Sequence, residues 1–219
     1  MHKSSLLRMN WFVQTYLNTN RTFGEGVNVL DVGSYDVNGT YKTFFPAPAF
    51  IYTGLDMGAG PNVDVAVETP YHWPMLADES FDVVVSGQAF EHIEFFWFTM
   101  AEMVRVAKKG ALFCIIAPRL YGRHRHPTDT YRFDEDGMIA LARYGCLEPL
   151  HASMNLAPSG ASPAWYSPAG DAMLIAKKPQ TWSGLADQRL YKYFPADLDA
   201  LRGGFIPLQQ QPYFHLMSG

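Results

Sequence analysis

The sequence predicts an open, doubly wound α/β sheet, and three observations predict it. Short apolar runs rich in β-branched residues and closed by turn formers recur between residues 27 and 118. They show little polar–apolar alternation, as expected of strands covered on both faces in a parallel sheet. Strands and helices are expected to alternate from about residue 27 to 145, and strand–crossover–strand units of this size wind into one sheet.

In chain order, the first twenty residues read as an amphipathic helix laid across the domain. The strands are VNVLDVG (27–33), FIYTGLD (50–56), NVDVAV (62–67), FDVVVSG (81–87) and GALFCIIAP (110–118). Between the last two lies the clearest helix, EFFWFTMAEMVRVAKKG, with Phe96, Met100, Met103, Val104 and Ala107 on one stripe. Lys108 and Lys109 would complement its C-terminal dipole, with Gly110 just past its end. A second helix is expected from an Asp134 cap to Gly145. After Cys146 the pattern changes. LEPLHASMNL and DAMLIAKKP read as an antiparallel pair at the sheet edge, joined by the loop APSGASPAWYSPAG. Residues 1–178 then form one domain, and 179–219 an aromatic, proline-rich arm: a lid, a homodimer contact or ordinary packing.

A chain of 219 residues suits one full-sized core. Charged residues at 17% and hydrophobic residues at 48% exclude a disordered chain. The formal charge of −4 argues against general nucleic-acid binding, which needs a basic field along the phosphates. The one basic cluster, Arg119 to His126, is too short to change that. Cys114 and Cys146 make no disulfide framework and read as reduced core residues. No apolar run approaches the roughly 20 residues of a membrane helix, and the N-terminus lacks a signal-peptide core. A soluble, cytoplasmic protein is expected.

VLDVGSYDVNGTY (29–41) carries the chemistry. Strands of a doubly wound sheet present ligands at their carboxyl ends, where strand order reverses. Gly33 lets backbone and ligand approach closely, and Ser34 to Gly39 should form a turn leading into a helix. Asp56 ends the next strand, about 20 residues on, where a carboxylate accepts hydrogen bonds from a ribose diol. The dinucleotide pattern G-x-G-x-x-G fails, because Tyr35 and Asn38 stand at its second and third glycines. Asp31 at the strand end suits a cationic amino-acid group better than a pyrophosphate. A nicotinamide oxidoreductase is therefore the weaker reading.

The chain resembles a class I S-adenosylmethionine-dependent methyltransferase of the type 11 group. The resemblance rests on VLDVGSYDVNGTY, YTGLDMGAGPNVDV (52–65), SFDVVVSGQAFEHI (80–93), EMVRVAKKGALFCIIAP (102–118) and HRHPTDTYRF (124–133). It implies a Rossmann-like, seven-stranded sheet with an antiparallel edge strand, and S-adenosylmethionine as cofactor. It places the methionine end near Asp31, Gly33 and Ser34, with Tyr35 and Gly39 in the same loop. The ribose falls on Asp56 with Met57 beside the adenine, Tyr71 and His72 border the adenine, and Ser86 and Gln88 line the methionine moiety. Tight turns and ordinary packing are the simpler alternatives for each. The first loop has fewer glycines than the group commonly shows.

RHRHPTDTYRF, after the fifth strand, is where an acceptor base should sit, since methyl transfer to a hydroxyl benefits from proton removal as the bond forms. His124 is the candidate base and Asp129 its partner. The resemblance reaches this loop through His124, Pro127, Asp129, Arg132 and Phe133. His92, His126, Tyr131 and Arg132 are candidate acceptor-binding groups. In the simpler account Asp129 caps a turn and pairs with Arg132, and Glu91 and His92 form a satisfied pair opening the next helix. A metal held by His124, His126 and Asp129 lacks a fourth ligand at recognisable spacing and is not expected. The polar loop suits a hydroxyl-rich or anionic small molecule, and relatives found with glycan-building enzymes make a sugar hydroxyl the first expectation. Amine and carboxylate acceptors stay open, as does a non-catalytic methyltransferase-like scaffold.

Overall fold

In the computed structural model, described over residues 3–18, 24–154 and 170–183, the apolar runs at 27–32, 81–87 and 111–118 become strands covered on both faces, while those at 50–56 and 65–66 are only partly buried. The chain divides into two compact units, Met1–Trp182 and Ser183–Gly219. Of the loop expected over 157–170, residues 157–169 lie outside the described residues, as does the arm expected over 179–219 from 184 onward.

The seven strands are β1 (Val27–Val32), β2 (Phe50–Asp56), β3 (Val65–Ala66), β4 (Phe81–Gly87), β5 (Ala107–Pro118), β6 (Glu148–Ser153) and β7 (Asp171–Lys177). Their order in the sheet is β3-β2-β1-β4-β5-β7-β6. The first five are parallel, while β7 runs antiparallel between β5 and β6. Chain direction across the sheet reverses at β1, so the crevice between the carboxyl ends of β1 and β4 is the switch point.

Alternate residues of each strand feed two cores. Leu30, Val84, Phe113 and Ile115 face α2 (Phe96–Val106) and α3 (Glu135–Tyr144), represented by Met100, Met103 and Leu141. Val29, Val85, Cys114 and Ile116 face the other way, onto α1 (Lys3–Phe12) and the π-type turn Val13–Asn18 through Met9, Phe12, Val13 and Leu17. The N-terminal helix thus supplies the second layer of the sandwich.

That layer explains one departure from expectation. Among the described residues no α-helix follows the Ser34–Gly39 turn or joins β2, β3 and β4; the β1–β2 connection holds only a 3₁₀ turn at Lys42–Phe44. Gly39, Pro46 and Pro48 interrupt that segment, and proline forbids a continuous helix. Tyr41 and Phe45 pack into the face that α1 covers.

The second departure is at the end of α2, which stops at Val106. Ala107 is already extended and pairs with Phe81, so Lys108, Lys109 and Gly110 belong to β5. Buried Lys178 takes the capping task, its Nζ donating to the carbonyls of Val104 (2.9 Å) and Ala107 (2.7 Å). Lys108 instead pairs with Asp82 at 2.8 Å. Of the expected stripe, Met100, Met103 and Val104 are fully buried on α2 and Phe96 partly, whereas Ala107 is buried as the first residue of β5. Asp134 caps α3 by accepting from the Glu135 N–H at 2.8 Å. Cys114 and Cys146 are both free thiols. No helix among the described residues is long and apolar enough to cross a membrane.

Candidate active site

Gly33 leaves β1 with φ +81°, and a Cβ there would stand 2.4 Å from that of Ala89 after β4. Glycine is therefore required both by conformation and by the close approach of two loops over the switch point. Asp31 is buried beneath this turn, accepting from the Tyr52 hydroxyl at 2.5 Å. Asn62 Nδ2 donates to the same Tyr52 oxygen and to the Ser34 carbonyl, both at 2.9 Å. Burial pushes the Asp31 carboxyl up to about 7, Tyr52 opposing this and the charge of Asp56 adding to it.

Asp56 sits half-buried at the end of β2, receiving the N–H groups of Tyr35 (3.0 Å) and Gly58 (3.3 Å). The exposed Tyr35 ring lies across Gly58 and Gly60; a Cβ on Gly60 would meet it at 2.3 Å. Met57 is exposed beside it. Gly39, at φ +134°, closes the first loop by donating to Asp36 at 2.7 Å. Tyr71 packs against Phe95 and Phe98 and accepts from the Phe95 N–H, while His72 Nδ1 is buried without a partner.

Two predicted cofactor residues have other tasks. Ser34 Oγ donates to the Asn62 carbonyl at 3.1 Å, and fully buried Ser86 donates to the Val32 carbonyl at 2.8 Å. Both side chains tie strand ends together. Gln88 reaches buried Asp171 at the start of β7 at 3.1 Å, leaving its own Oε1 buried and unpartnered.

The loop after β5 is stapled to the segment after β4. Thr130 donates from its N–H and hydroxyl to the Glu91 carbonyl, Thr128 Oγ1 to the His92 carbonyl, and the Tyr131 hydroxyl to the Glu94 carbonyl. Arg132 grips both oxygens of Asp129 at 2.5 and 2.8 Å, and the His124 N–H donates to Asp129 at 2.7 Å. This guanidinium holds the Asp129 carboxyl well below the usual carboxylate range. Asp129 and Arg132 thus hold the loop in the manner of the simpler account, and the Tyr131 hydroxyl is likewise committed to the frame.

His124 and His92 meet edge to face with ring centroids 5.1 Å apart; exposed His126 lies 6.2 Å from His92. Beneath them is Glu91, 0% exposed, its Oε1 3.6 Å from His92 Nε2 and 3.9 Å from His124 Nε2. Neither carboxylate oxygen has a hydrogen-bond partner. Glu91 and His92 do lie together, but at 3.6 Å without a hydrogen bond between them. Burial raises its carboxyl to about 8 and lowers the His92 imidazole.

Residues 47–115 match the family model of a methyltransferase domain, type 11. That stretch is about a third of the chain, and over it the sequence is similar to the S-adenosylmethionine-dependent methyltransferases. The sequence matches none of the curated proteins compared with it. Solved structures share the fold of this chain at low identity. One is Burkholderia thailandensis 1,6-didemethyltoxoflavin-N1-methyltransferase, solved with 1,6-didemethyltoxoflavin and S-adenosylhomocysteine: 15% identical, TM-score 0.59, covering 80% of this chain and 79% of that one. An Archaeoglobus fulgidus SAM-dependent methyltransferase is 16% identical with TM-score 0.54, over 80% and 95%. The [4+2]-cyclase SpnF is 17% identical with TM-score 0.58, over 80% of each.

The polar groups at the switch point suit S-adenosylmethionine, the cofactor the family match implies. Asp31 and the orphaned Gln88 Oε1 are buried acceptors fit for an amino-acid cation, and half-buried Asp56 can take a ribose diol. Tyr52 and Asn62, which hold Asp31, were missed in the sequence because a strand tyrosine and a loop asparagine carry no spacing signal. Asp171 was missed for a similar reason: it opens a strand that only the antiparallel topology brings beside Gln88.

Proposed function

We propose that this methyltransferase O-methylates a polar small molecule, a sugar or glycan-precursor hydroxyl first among the candidates. The observation that carries the reading is the imidazole pair His92 and His124, held over the carboxyl ends of β4 and β5 beside the switch point. Bound S-adenosylmethionine supplies an electrophilic methyl on a sulfonium sulfur, which keeps the bond pair as an acceptor oxygen takes the methyl. Asp31 and Gln88 orient the amino-acid end, and Asp56 the ribose. His124 takes the acceptor's proton as the oxygen–carbon bond forms. Its Nδ1 faces the Gly122 carbonyl at 3.0 Å, which makes Nε2, 3.9 Å from Glu91 Oε1, the basic nitrogen. Asp129 and Arg132 fix the loop. Exposed Arg123, Arg125 and His126 form a polar rim that suits a hydroxyl-rich or acidic acceptor.

The first test is thermal stability. S-adenosylmethionine or S-adenosylhomocysteine at 100 times its dissociation constant should stabilise the folded chain by about 2.7 kcal/mol. NAD should do nothing, and a rise with NAD alone would end the methyltransferase reading. Turnover is then sought by acceptor screening with a labelled methyl donor, sugars before amines and carboxylates.

Asp56→Ala removes the ribose acceptor and should cost about 1–3 kcal/mol of cofactor affinity. Unchanged affinity by calorimetry, in a variant with wild-type circular dichroism, refutes that role. A second reading is a non-catalytic scaffold on a methyltransferase fold; the fold alone does not fix methyl transfer, since a [4+2]-cyclase shares this architecture. It predicts cofactor binding with no methyl transfer to any acceptor.

A further inference from the structure

We infer that Glu91, His92 and His124 bind one divalent cation of the zinc type, with a coordination position left for the acceptor oxygen. Their ligand atoms all lie within 4.8 Å of one another. Tetrahedral zinc, with bonds of about 2.0–2.1 Å, sets neighbouring ligands about 3.3 Å apart. The two distances from Glu91 Oε1, 3.6 and 3.9 Å, therefore need to close by only a few tenths of an ångström.

Three features point the cluster at a cation. Glu91 is wholly buried with neither oxygen hydrogen-bonded, and a buried carboxyl group left so is costly until a donor or a cation meets it. Arg132 lies near but spends its guanidinium on Asp129. The third feature is tautomer control. His92 Nδ1 faces the Thr128 carbonyl at 2.6 Å, and His124 Nδ1 faces the Gly122 carbonyl at 3.0 Å. A carbonyl only accepts, so each Nδ1 carries the proton and each Nε2 turns its lone pair toward Glu91. Metal-binding histidines are oriented by this kind of outer hydrogen bond.

Two imidazoles and a carboxylate suit zinc, and three protein ligands leave the open position typical of a catalytic ion. The ion's task rests on the acceptor reading above. An acceptor hydroxyl in the open position ionises more readily, its proton leaving to solvent before the oxygen takes the methyl. His124 then acts as a ligand, and the cation replaces it in generating the nucleophile.

The test is calorimetric titration of the EDTA-treated, dialysed protein with Zn²⁺, and separately with Mn²⁺ and Mg²⁺. The expected result is one Zn²⁺ per chain, bound more tightly than the other two ions. His124→Ala and Glu91→Gln should each weaken it at least 100-fold, more than a lost outer-shell partner costs. His124 is 41% exposed on a loop, so its variant decides the matter if Glu91→Gln fails to fold. No saturable Zn²⁺ binding, tighter Mn²⁺ or Mg²⁺ binding, or equal Zn²⁺ affinity in His124→Ala overturns the inference. S-adenosylhomocysteine stabilisation, measured on the same metal-free protein, is a separate readout. If it persists without Zn²⁺ binding, only the cation site falls; if it is absent too, the methyltransferase reading falls with it.

Discussion

Single-turnover methyl transfer by His124→Ala falls roughly 10²–10⁴-fold with acceptor saturating, while cofactor affinity stays at the wild-type value. The imidazole stands at the carboxyl end of β5 over buried Glu91, on the far side of the switch point from the Asp31 and Asp56 carboxylates. Its loss should therefore register in the chemical step and not in cofactor binding. Asp129→Asn should act in the same direction but less, because it loosens the loop through Arg132 and the His124 N–H without touching a reacting atom. Its effect should appear chiefly as a higher acceptor KM. If the loop merely shapes the pocket, His124→Ala will raise acceptor KM and leave the saturated rate within a few-fold of wild type. That outcome would remove His124 from the chemistry and move attention to His92.

Cofactor affinity should rise with pH up to about 7 and level off, and Asp31 should be the cause. Burial raises its carboxyl to about 7, so on the acid side it is largely neutral in the free protein. A cationic α-amino group favours the ionised form, and binding then expels a proton. Affinity should gain up to about tenfold per pH unit below 7. Asp31→Asn should flatten the rising limb and cost about 1.5–3 kcal/mol near neutrality, the worth of a hydrogen bond to a charged group. Calorimetry with S-adenosylhomocysteine between pH 5.5 and 8.5 measures both. A flat wild-type profile, or an unchanged rise in the variant, would remove Asp31 from the amino-acid end.

Stability without ligand runs the other way. Unfolded aspartate loses its proton near 3.9, whereas folded Asp31 keeps it to about 7. The folded state thus binds more protons between those values, and the Asp31 contribution to stability declines as pH rises through that window. Above about 7 it declines no further.

The parallel strands were legible because each is apolar on both faces, a property of composition alone. The turn at Gly33 was legible because glycine at a strand end has few other uses. The missing helices were not: nothing local in Ser34–Ala49 says that α1 already covers that face of the sheet. The end of α2 misled for a related reason. Two lysines and a glycine are good helix terminators, but pairing of Ala107 with Phe81 and the amine of distant Lys178 decided the boundary. In the site, residue types at strand ends were readable, whereas their commitments were not. Ser34, Ser86 and Arg132 look like ligand-binding groups until their partners are placed. Glu91 looked like half of a satisfied pair, and only the structure shows its oxygens buried without a hydrogen-bond donor.

The docking of α1 imposes an order of events during synthesis. Met9 and Phe12 leave the ribosome early, but their seat includes Cys114, Ile116, Met173 and Ile175. At roughly 5–20 residues per second, about 10–30 s separate the two. For that interval the helix has only part of its partner surface, and a short helix is marginal in water without tertiary contacts. The sheet's second face is thus sealed last, by a segment made before any of the strands.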